Sequence, residues 1–185
     1  GAEVTRRLAL AGTQVVMLAR DTDRMRAIAD SYDSPQPAVI VTDLRDEKSV
    51  NRAFKEIDKM FSRIDLLCTA AGIFHEATHI EQQSDEVWSD IIETNLTGVM
   101  RCIRAAWPLL SEDAAIVTIG SVLGAMSQSG VGAYAASKAA LAALTRTVAS
   151  EGASRGIRAN MLVPGMVRTP MNQRMADASG DPDEW

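Results

Sequence analysis

Residues Ala114–Lys138, AAIVTIGSVLGAMSQSGVGAYAASK, decide the fold class of this chain of 185 residues. The run Ala114–Ile119 is apolar and rich in β-formers, a pattern that predicts a strand buried on both faces. A loop follows it, and we then predict a helix at Ala133–Glu151 and a second apolar strand at Ile157–Val163. A strand, a helix and a strand in this order predict a βαβ unit of a parallel sheet.

The same alternation of apolar runs and amphipathic segments extends toward the amino terminus. We predict helices at Ala2–Ala11, Asp21–Tyr32, Glu47–Phe61 and Ser84–Leu110, and strands at Gln14–Ala19, Ala38–Thr42 and Ile64–Thr69. This alternation predicts the α/β class, with a doubly wound parallel sheet between two layers of helices. Residues 1–185 are expected to form a single domain, in which residues 171–185 are a flexible flap. Asp21 and Ser84 are expected to be the N-caps of their helices.

The composition argues against several classes of function. The net charge is −5 and there is no basic run, which argues against a nucleic-acid surface. No apolar stretch reaches the roughly 18 residues of a membrane helix, so we expect no membrane span and a cytoplasmic protein. Cys68 and Cys102 lie in apolar segments and are expected to be buried free thiols. His75 and His79 lie four residues apart in a polar segment that predicts a loop, so no metal site is expected.

Ser121, Tyr134 and Lys138 form a candidate proton-transfer group. Ligands of such sheets bind beyond the carboxyl ends of the strands, and Ser121 follows a strand directly. Tyr134 and Lys138 share a helix face, and an ammonium group beside a phenol lowers the pKa of the phenol from about 10. A pKa nearer neutrality suits a general acid or base. Taken singly, the pair also fits an ordinary helix surface, and Ser121 also fits a turn cap.

Taken together, these residues resemble the short-chain dehydrogenase/reductase family, in the branch that includes ketoacyl-carrier-protein reductases. Ser121 lies thirteen residues before Tyr134, and Tyr134-Ala135-Ala136-Ser137-Lys138 is a frequent form of the family's tyrosine motif. Asn95, in Asn95-Leu96-Thr97-Gly98, resembles the upstream asparagine that completes the family's catalytic tetrad. The resemblance covers nearly the whole chain and implies a Rossmann-like, three-layer α/β/α fold. We refer below to Asn95, Ser121, Tyr134 and Lys138 as the tetrad.

The resemblance also implies a role for each member of the tetrad. Tyr134 donates the proton to a carbonyl during reduction, and Ser121 orients that carbonyl. Lys138 lowers the pKa of Tyr134 and binds the nicotinamide ribose, whereas Asn95 supports a water molecule that links Lys138 to solvent. The hydride comes from the cofactor, because no side chain supplies one.

A cofactor site is implied at the carboxyl ends of the strands. Asp43 resembles the aspartate that contacts the adenine ring, and Pro164-Gly165 with Thr169 resembles the segment that holds the nicotinamide carboxamide. Arg20 follows a strand end at which Ala19 replaces the acidic residue that binds the ribose of NAD, so NADP(H) is favoured and NAD(H) stays open. The full set of implied cofactor-binding residues is Gly1, Arg20, Asp43, Leu44, Ala71, Gly72, Tyr134, Lys138, Pro164, Gly165 and Thr169.

Two departures from the family pattern are present. Thr69-Ala70-Ala71-Gly72 stands where the family carries Asn-Asn-Ala-Gly, so side-chain hydrogen bonds of the asparagines are lost or only partly replaced by Thr69. Gly1 resembles the last glycine of the family's phosphate-binding turn, so the family's first strand and its last helix and strand are expected to be missing. We therefore expect a longer natural protein, weak cofactor binding by this chain, and a gap between the strands Gln14–Ala19 and Ile64–Thr69.

The expected function is hydride transfer between NADP(H) and a ketone or secondary alcohol, with Tyr134 as proton donor and acceptor. Two alternatives stay open: a non-catalytic cofactor-binding scaffold or sensor, and epimerisation or dehydration of sugar nucleotides on the same fold. The expected partner is a small-molecule substrate, of hydrophobic character if Met166, Met171 and Met175 form an adaptable lid. The resemblance implies a homo-oligomer, a tetramer or dimer, formed through the helices Ser84–Leu110 and Ala133–Glu151.

Overall fold

Helices and strands alternate along the chain in the computed structural model, which describes residues 1–31, 35–126, 128–167 and 169. The helices are α1 Ala2–Leu10, α2 Thr22–Ala29, α3 Glu47–Phe61, α4 Asp85–Ile92, α5 Gly98–Ala106 and α6 Gly132–Gly152. The strands are β1 Val16–Ala19, β2 Ala38–Val41, β3 Ile64–Thr69, β4 Leu110–Ile119 and β5 Arg158–Leu162. The predicted α/β class is confirmed, because strand pairing is parallel in each case described.

The strands form two parallel sheets, one with the order β1-β2 and one with the order β3-β4-β5. The register of the first sheet pairs Val16 with Ala38, and that of the second pairs Thr69 with Thr118. No ladder joins β1 to β3 within the described ranges, so the division falls where the sequence predicts a gap. Because every pairing is parallel, the carboxyl ends of the strands within each sheet share one edge, the edge at which ligands bind in this class of fold.

Helices cover both faces of the first sheet. Successive residues of a strand point to opposite faces. Met17 of β1 accordingly packs in one cluster with Met25 of α2, whereas Val16 and Leu18 pack in a second cluster with α3 and α5. Val50 of α3 is fully buried in that second cluster. These contacts build the three-layer arrangement that the sequence predicts.

The second sheet is covered on one face by α5 and α6. Ile116 of β4 and Leu141 of α6 meet there in a third cluster and are almost fully buried. The opposite face includes Leu66 of β3, which is 38% exposed, and Leu162 of β5, which is 57% exposed. This sheet is therefore more open on one side than the first sheet.

The predicted helix Ser84–Leu110 is wrong as a continuous element. It is divided into α4, a π-helical turn at Glu93–Thr97, and α5, and β4 already begins at Leu110. A π-helical turn contains an extra residue, and apolar periodicity at helical spacing does not reveal it. The predicted N-caps are confirmed, since the side chains of Asp21 and Ser84 accept hydrogen bonds from backbone N–H groups of their helices. Tyr32, the predicted end of α2, and residues 171–185 lie outside the described residues.

Candidate active site

The tetrad residue Asn95 lies in the π-helical turn and is fully buried. Its side-chain oxygen accepts a hydrogen bond of 2.8 Å from the N–H of Ile73, and its side-chain nitrogen donates one of 2.9 Å to the carbonyl of Ile73. The same nitrogen lies 3.3 Å from Oγ of Ser137 in α6. The extra residue of the turn thus directs Asn95 at the loop that follows β3, where it fixes the backbone at one residue.

Lys138 joins the same cluster from α6. Lys138 is 5% exposed, and its Nζ donates a hydrogen bond of 2.7 Å to the carbonyl of Ile119 at the end of β4. A Cβ atom placed on Gly72 would lie 3.4 Å from Oδ1 of Asn95 and 3.6 Å from Nζ of Lys138. Gly72 therefore leaves a narrow space between the two polar groups, which a larger side chain would fill.

Tyr134 lies at the start of α6 and is held from two sides. The rings of Phe74 and Tyr134 are T-shaped at 90° with 5.3 Å between their centroids, and Nζ of Lys138 lies 5.5 Å from the centroid of the Tyr134 ring. The side chain of Ser121 lies close enough to the phenol to lower its pKa. The structure thus brings all four members of the tetrad to the carboxyl edge of the second sheet.

The expectation that Lys138 lowers the pKa of Tyr134 is wrong. Burial raises the pKa of Tyr134 above its ordinary value of 10, and the side chain of Ser121 only opposes this rise. Burial also lowers the pKa of Lys138 from 10.5 to about 8. Removal of water disfavours the charged form of each group, and the Lys138 ammonium is directed at the Ile119 carbonyl, so its charge does not dominate at the phenol.

Ser121 occupies the turn between β4 and α6. Its Oγ accepts a hydrogen bond of 3.2 Å from the N–H of Leu123, so the capping role that the sequence left open is present beside the contact with Tyr134. The N–H of Val122 donates to the carbonyl of Pro164 at 3.0 Å. The candidate nicotinamide segment after β5 is thereby tied to the turn that carries Ser121.

The candidate adenine side of the site lies after β1 and β2. Arg20 is exposed, and its positive charge contributes to a lowered pKa of Asp43. The larger cause is a side-chain hydrogen bond from Arg45, whose Nη2 lies 3.1 Å from Oδ2 of Asp43. The N–H of Asp43 donates to Oγ of Ser49. Asp43 is thus already engaged by the protein, and the exposed Arg20 is near enough to influence it electrostatically.

The remaining predicted cofactor-binding positions include Gly1, Ala71, Gly165 and Thr169. Gly1 precedes α1, and its carbonyl accepts a hydrogen bond of 2.9 Å from the N–H of Thr5. No contact described for residues 1–31 joins Gly1 to the tetrad. Ala71 and Gly165 are exposed, whereas Thr169 is half-buried. These positions stay predictions.

Thr69 does not replace the asparagine interactions that the family pattern would supply. Its hydroxyl is buried and, among the described side chains, lacks a hydrogen-bond partner. A buried hydroxyl without a partner weakens the native state, typically by about 1–3 kcal/mol. The backbone of the segment after β3 is instead held at Ile73 by Asn95.

Several residues of the site were missed from the sequence. Phe74 directly follows Gly72 and Ile73 beyond a strand end, so the rule that locates ligands at carboxyl ends was a sufficient signal for it. His75, considered only as a metal ligand, instead lies with Nε2 3.1 Å from Oδ2 of Asp90. Arg101 contacts the loop after β2, and there was no local sequence signal of this contact because its backbone acceptors there lie more than fifty residues away.

The remaining predictions concern the two cysteines, metal binding and membrane-spanning helices. Cys68 and Cys102 are both free thiols. Cys102 is buried as predicted, whereas the prediction that Cys68 is buried is wrong, because Cys68 is half-buried. Burial raises the pKa of Cys102 to about 12. Over the described ranges, no group of three metal-ligating side chains is found. In the same part of the chain, none of the helices combines the length and apolar character needed to span a bilayer.

Known proteins have similar sequences. The sequence model described as short chain dehydrogenase matches residues 1–180. The chain is 35% identical to carbonyl reductase family member 4 of Danio rerio over 178 residues, which is 96% of this chain and 75% of the relative. It is 34% identical to the 3-oxoacyl-[acyl-carrier-protein] reductase FabG of Escherichia coli (strain K12) over 179 residues, 96% of this chain and 72% of the relative.

Solved structures lead to the same family. A short-chain dehydrogenase/reductase (glucose/ribitol dehydrogenase) from Brucella melitensis superposes with a TM-score of 0.88 at 30% identity, covering 94% of this chain and 70% of the other. A blue fluorescent protein from a metagenomic library, solved in complex with NADPH, has a TM-score of 0.87 at 28% identity and covers 92% and 71% of the two chains. Fold, sequence match and relatives agree, and the chain belongs to the short-chain dehydrogenase family of NAD(P)-dependent oxidoreductases.

Proposed function

We propose that the protein interconverts a ketone and a secondary alcohol with NADP(H), and that the tetrad carries out the proton transfer. The observation that carries this proposal is the phenol of Tyr134, which has Ser121 nearby and the buried Lys138 beside its ring, with Nζ 5.5 Å from the ring centroid. A phenol, a hydroxyl and an amine converge at a strand end, which is the arrangement that polarising and protonating a carbonyl oxygen requires.

In the reductive direction, Tyr134 donates its proton to the substrate oxygen. The raised pKa of Tyr134 keeps the phenol protonated at neutral pH, which suits a proton donor. Ser121 donates a second hydrogen bond to the same oxygen and stabilises the negative charge that develops there. Lys138, with a pKa of about 8, exchanges its own proton near neutrality and can restore the proton of Tyr134.

The residues around this centre fit a nicotinamide dinucleotide. Lys138 and the narrow space at Gly72 would receive the nicotinamide ribose, and Pro164-Gly165 with Thr169 would hold the carboxamide. Asp43 and Leu44 would contact the adenine. When bound, the cofactor supplies or accepts the hydride. Arg20 is exposed and close enough to influence Asp43 electrostatically, so it can bind a 2′-phosphate; this favours NADP(H) over NAD(H).

The names of the relatives support a carbonyl substrate. One is called a carbonyl reductase and another a 3-oxoacyl-[acyl-carrier-protein] reductase, and a similar structure was solved with NADPH. The substrate is therefore proposed to be a small molecule with a ketone, or the corresponding alcohol. A homo-oligomer, tetramer or dimer, and a cytoplasmic location stay proposals that rest on the same family.

The proposal is tested by following nicotinamide absorbance with a panel of ketones, for the wild type and for Tyr134→Phe. Removing the general acid is expected to lower kcat by at least about a hundredfold while cofactor binding persists. Ser121→Ala should also lower kcat, whereas Ser111→Ala, which removes a hydroxyl bonded to Asp65 away from the tetrad, should not. A Tyr134→Phe enzyme as fast as the wild type would refute the mechanism. Cofactor binding without turnover would favour the scaffold or sensor alternative.

Cofactor choice is tested at Arg20. Arg20→Ala is expected to raise KM for NADPH by about tenfold, because a guanidinium–phosphate contact is lost, and to leave KM for NADH nearly unchanged. Arg24→Ala, an exposed arginine on the neighbouring helix α2, is the matched control. Equal effects of Arg20→Ala on both cofactors would remove Arg20 from the assignment.

A further inference from the structure

Arg101 of α5 connects two segments that the proposed function uses separately. Its Nη1 donates hydrogen bonds to the carbonyls of Leu44 at 3.3 Å and Arg45 at 2.9 Å. The same nitrogen lies 2.8 Å from a carboxylate oxygen of Glu93, the first residue of the π-helical turn. The Arg101 side chain is 18% exposed, so these charge-assisted bonds are largely shielded from water.

A close backbone contact supports the same connection. A Cβ atom on Gly98 would lie 2.8 Å from Cβ of Leu44 and 3.1 Å from both the Leu44 carbonyl oxygen and the Glu93 carbonyl oxygen. The loop after β2 is therefore packed directly on the first residue of α5, three positions after Asn95. Packed interiors transmit displacement because there is no free space to absorb it.

A second polar connection lies on the other side of the turn. Arg45 donates a hydrogen bond of 2.7 Å to Oδ1 of Asp90 in α4, and the other oxygen of Asp90 contacts His75 at 3.1 Å. The segment from Asp90 to Arg101 thus contacts the loop after β2 at both of its ends. The same segment contacts the loop after β3 at two places: Asn95 bonds to Ile73, and Asp90 contacts His75. Movement of one loop must be accommodated by the segment that orients Asn95.

We propose that Arg101 is a positioning residue that couples occupancy of the adenine side, at Asp43 and Leu44, to the orientation of Asn95. This inference rests on the proposed function for the location of the adenine. A ligand that fixes the loop carbonyls fixes Arg101, which fixes Glu93 and hence the turn that carries Asn95. By thermodynamic reciprocity, a correctly oriented Asn95 raises affinity on the adenine side.

The rate of amide hydrogen exchange at Ile73 measures this coupling in the absence of catalysis, because the N–H of Ile73 is hydrogen-bonded to Asn95. The probe is adenosine 2′,5′-bisphosphate at saturating concentration, which lacks the nicotinamide. In the wild type, the probe is expected to slow exchange at Ile73 by about tenfold, within the range of typical coupling between sites. Arg101→Met is expected to abolish this slowing. Arg104→Met, which removes an exposed arginine from the same helix, is expected to retain it.

A kinetic experiment distinguishes the proposed coupling from a merely structural role of Arg101. Arg101→Met should lower kcat by about tenfold at saturating NADPH, and the same substitution in an Asn95→Ala background should lower it no further. Arg101→Lys, which keeps a donor, should recover part of the loss.

Persistence of the slowing in Arg101→Met, or full additivity with Asn95→Ala, would overturn the proposal. If the wild type reduces no ketone, the proposed function fails, while the exchange experiment still decides the coupling.

Discussion

Replacing Asn95 with alanine tests how much of the site's stability depends on one side chain. The substitution removes both bonds to the backbone of Ile73 and the contact with Ser137. Ser137 keeps a partner, since its hydroxyl also donates to the carbonyl of Tyr134 at 2.7 Å. The N–H and the carbonyl of Ile73 each lose the partner that Asn95 provides. The loss of stability therefore comes mainly from these two backbone groups.

Each buried backbone group left without a partner costs about 1–3 kcal/mol. Ile73 is half-buried, so water can partly solvate it, and the lower half of that range applies. We therefore expect Asn95→Ala to lower the free energy of unfolding by about 2–4 kcal/mol, a large share of the roughly 5–15 kcal/mol of a typical domain. Urea titration followed by circular dichroism measures this change.

The control is Asn51→Ala on the exposed face of α3, which should change the free energy of unfolding by less than about 0.5 kcal/mol. A loss below about 1 kcal/mol for Asn95→Ala would contradict the reasoning. It would mean that the N–H and the carbonyl of Ile73 are satisfied by water or by other protein groups as well as by Asn95. A normal slope of the urea transition would show that the denatured state is unchanged.

Three further predictions follow from burial and packing. The pKa of Lys138 is lowered to about 8 in the folded protein, so the unfolded chain binds this proton more tightly. The free energy of unfolding should therefore rise between pH 8 and 10 by on the order of 2 kcal/mol. A plot of urea midpoint against pH should be flatter over this range for Lys138→Met. Gly98→Ala should lower the free energy of unfolding by about 1–3 kcal/mol, because its Cβ would press on backbone atoms, whereas Gly165→Ala, with nothing within 4 Å, should leave the melting temperature nearly unchanged. Iodoacetamide should modify Cys68 before Cys102 in the native protein, because the more deeply buried Cys102 has a pKa of about 12; mass spectrometry showing the reverse order would contradict this.

Local patterns predicted most of the fold. The buried strands at Gln14–Ala19 and Ile64–Thr69 were visible as apolar runs, and the observed strands fall within those bounds. The caps at Asp21 and Ser84 were visible because a short polar side chain before a helix has a specific backbone partner. These features depend on neighbouring residues, so a single sequence contains the information that determines them.

Features that depend on distant residues could not be predicted in this way. The π-helical turn at Glu93–Thr97 depends on contacts of Asn95 with the loop after β3, which lies more than twenty residues away in the chain. The sign of the Tyr134 pKa shift was missed because spacing shows which charges are near, but not how much water burial removes. The contact of Arg101 with the loop after β2 was missed because that loop lies far away in the chain.

The π-helical turn also has a consequence for deletions in the segment from α4 to α5. A π-helical turn accommodates one residue more than an α-helix along the same path, so deleting one residue between Glu93 and Thr97 would leave a regular α-helix in which α4 and α5 keep their buried faces. Asn95 would then lose the turn that directs its side chain at Ile73. Loss of a single codon at this place would therefore disturb the reaction centre and leave the hydrophobic core intact.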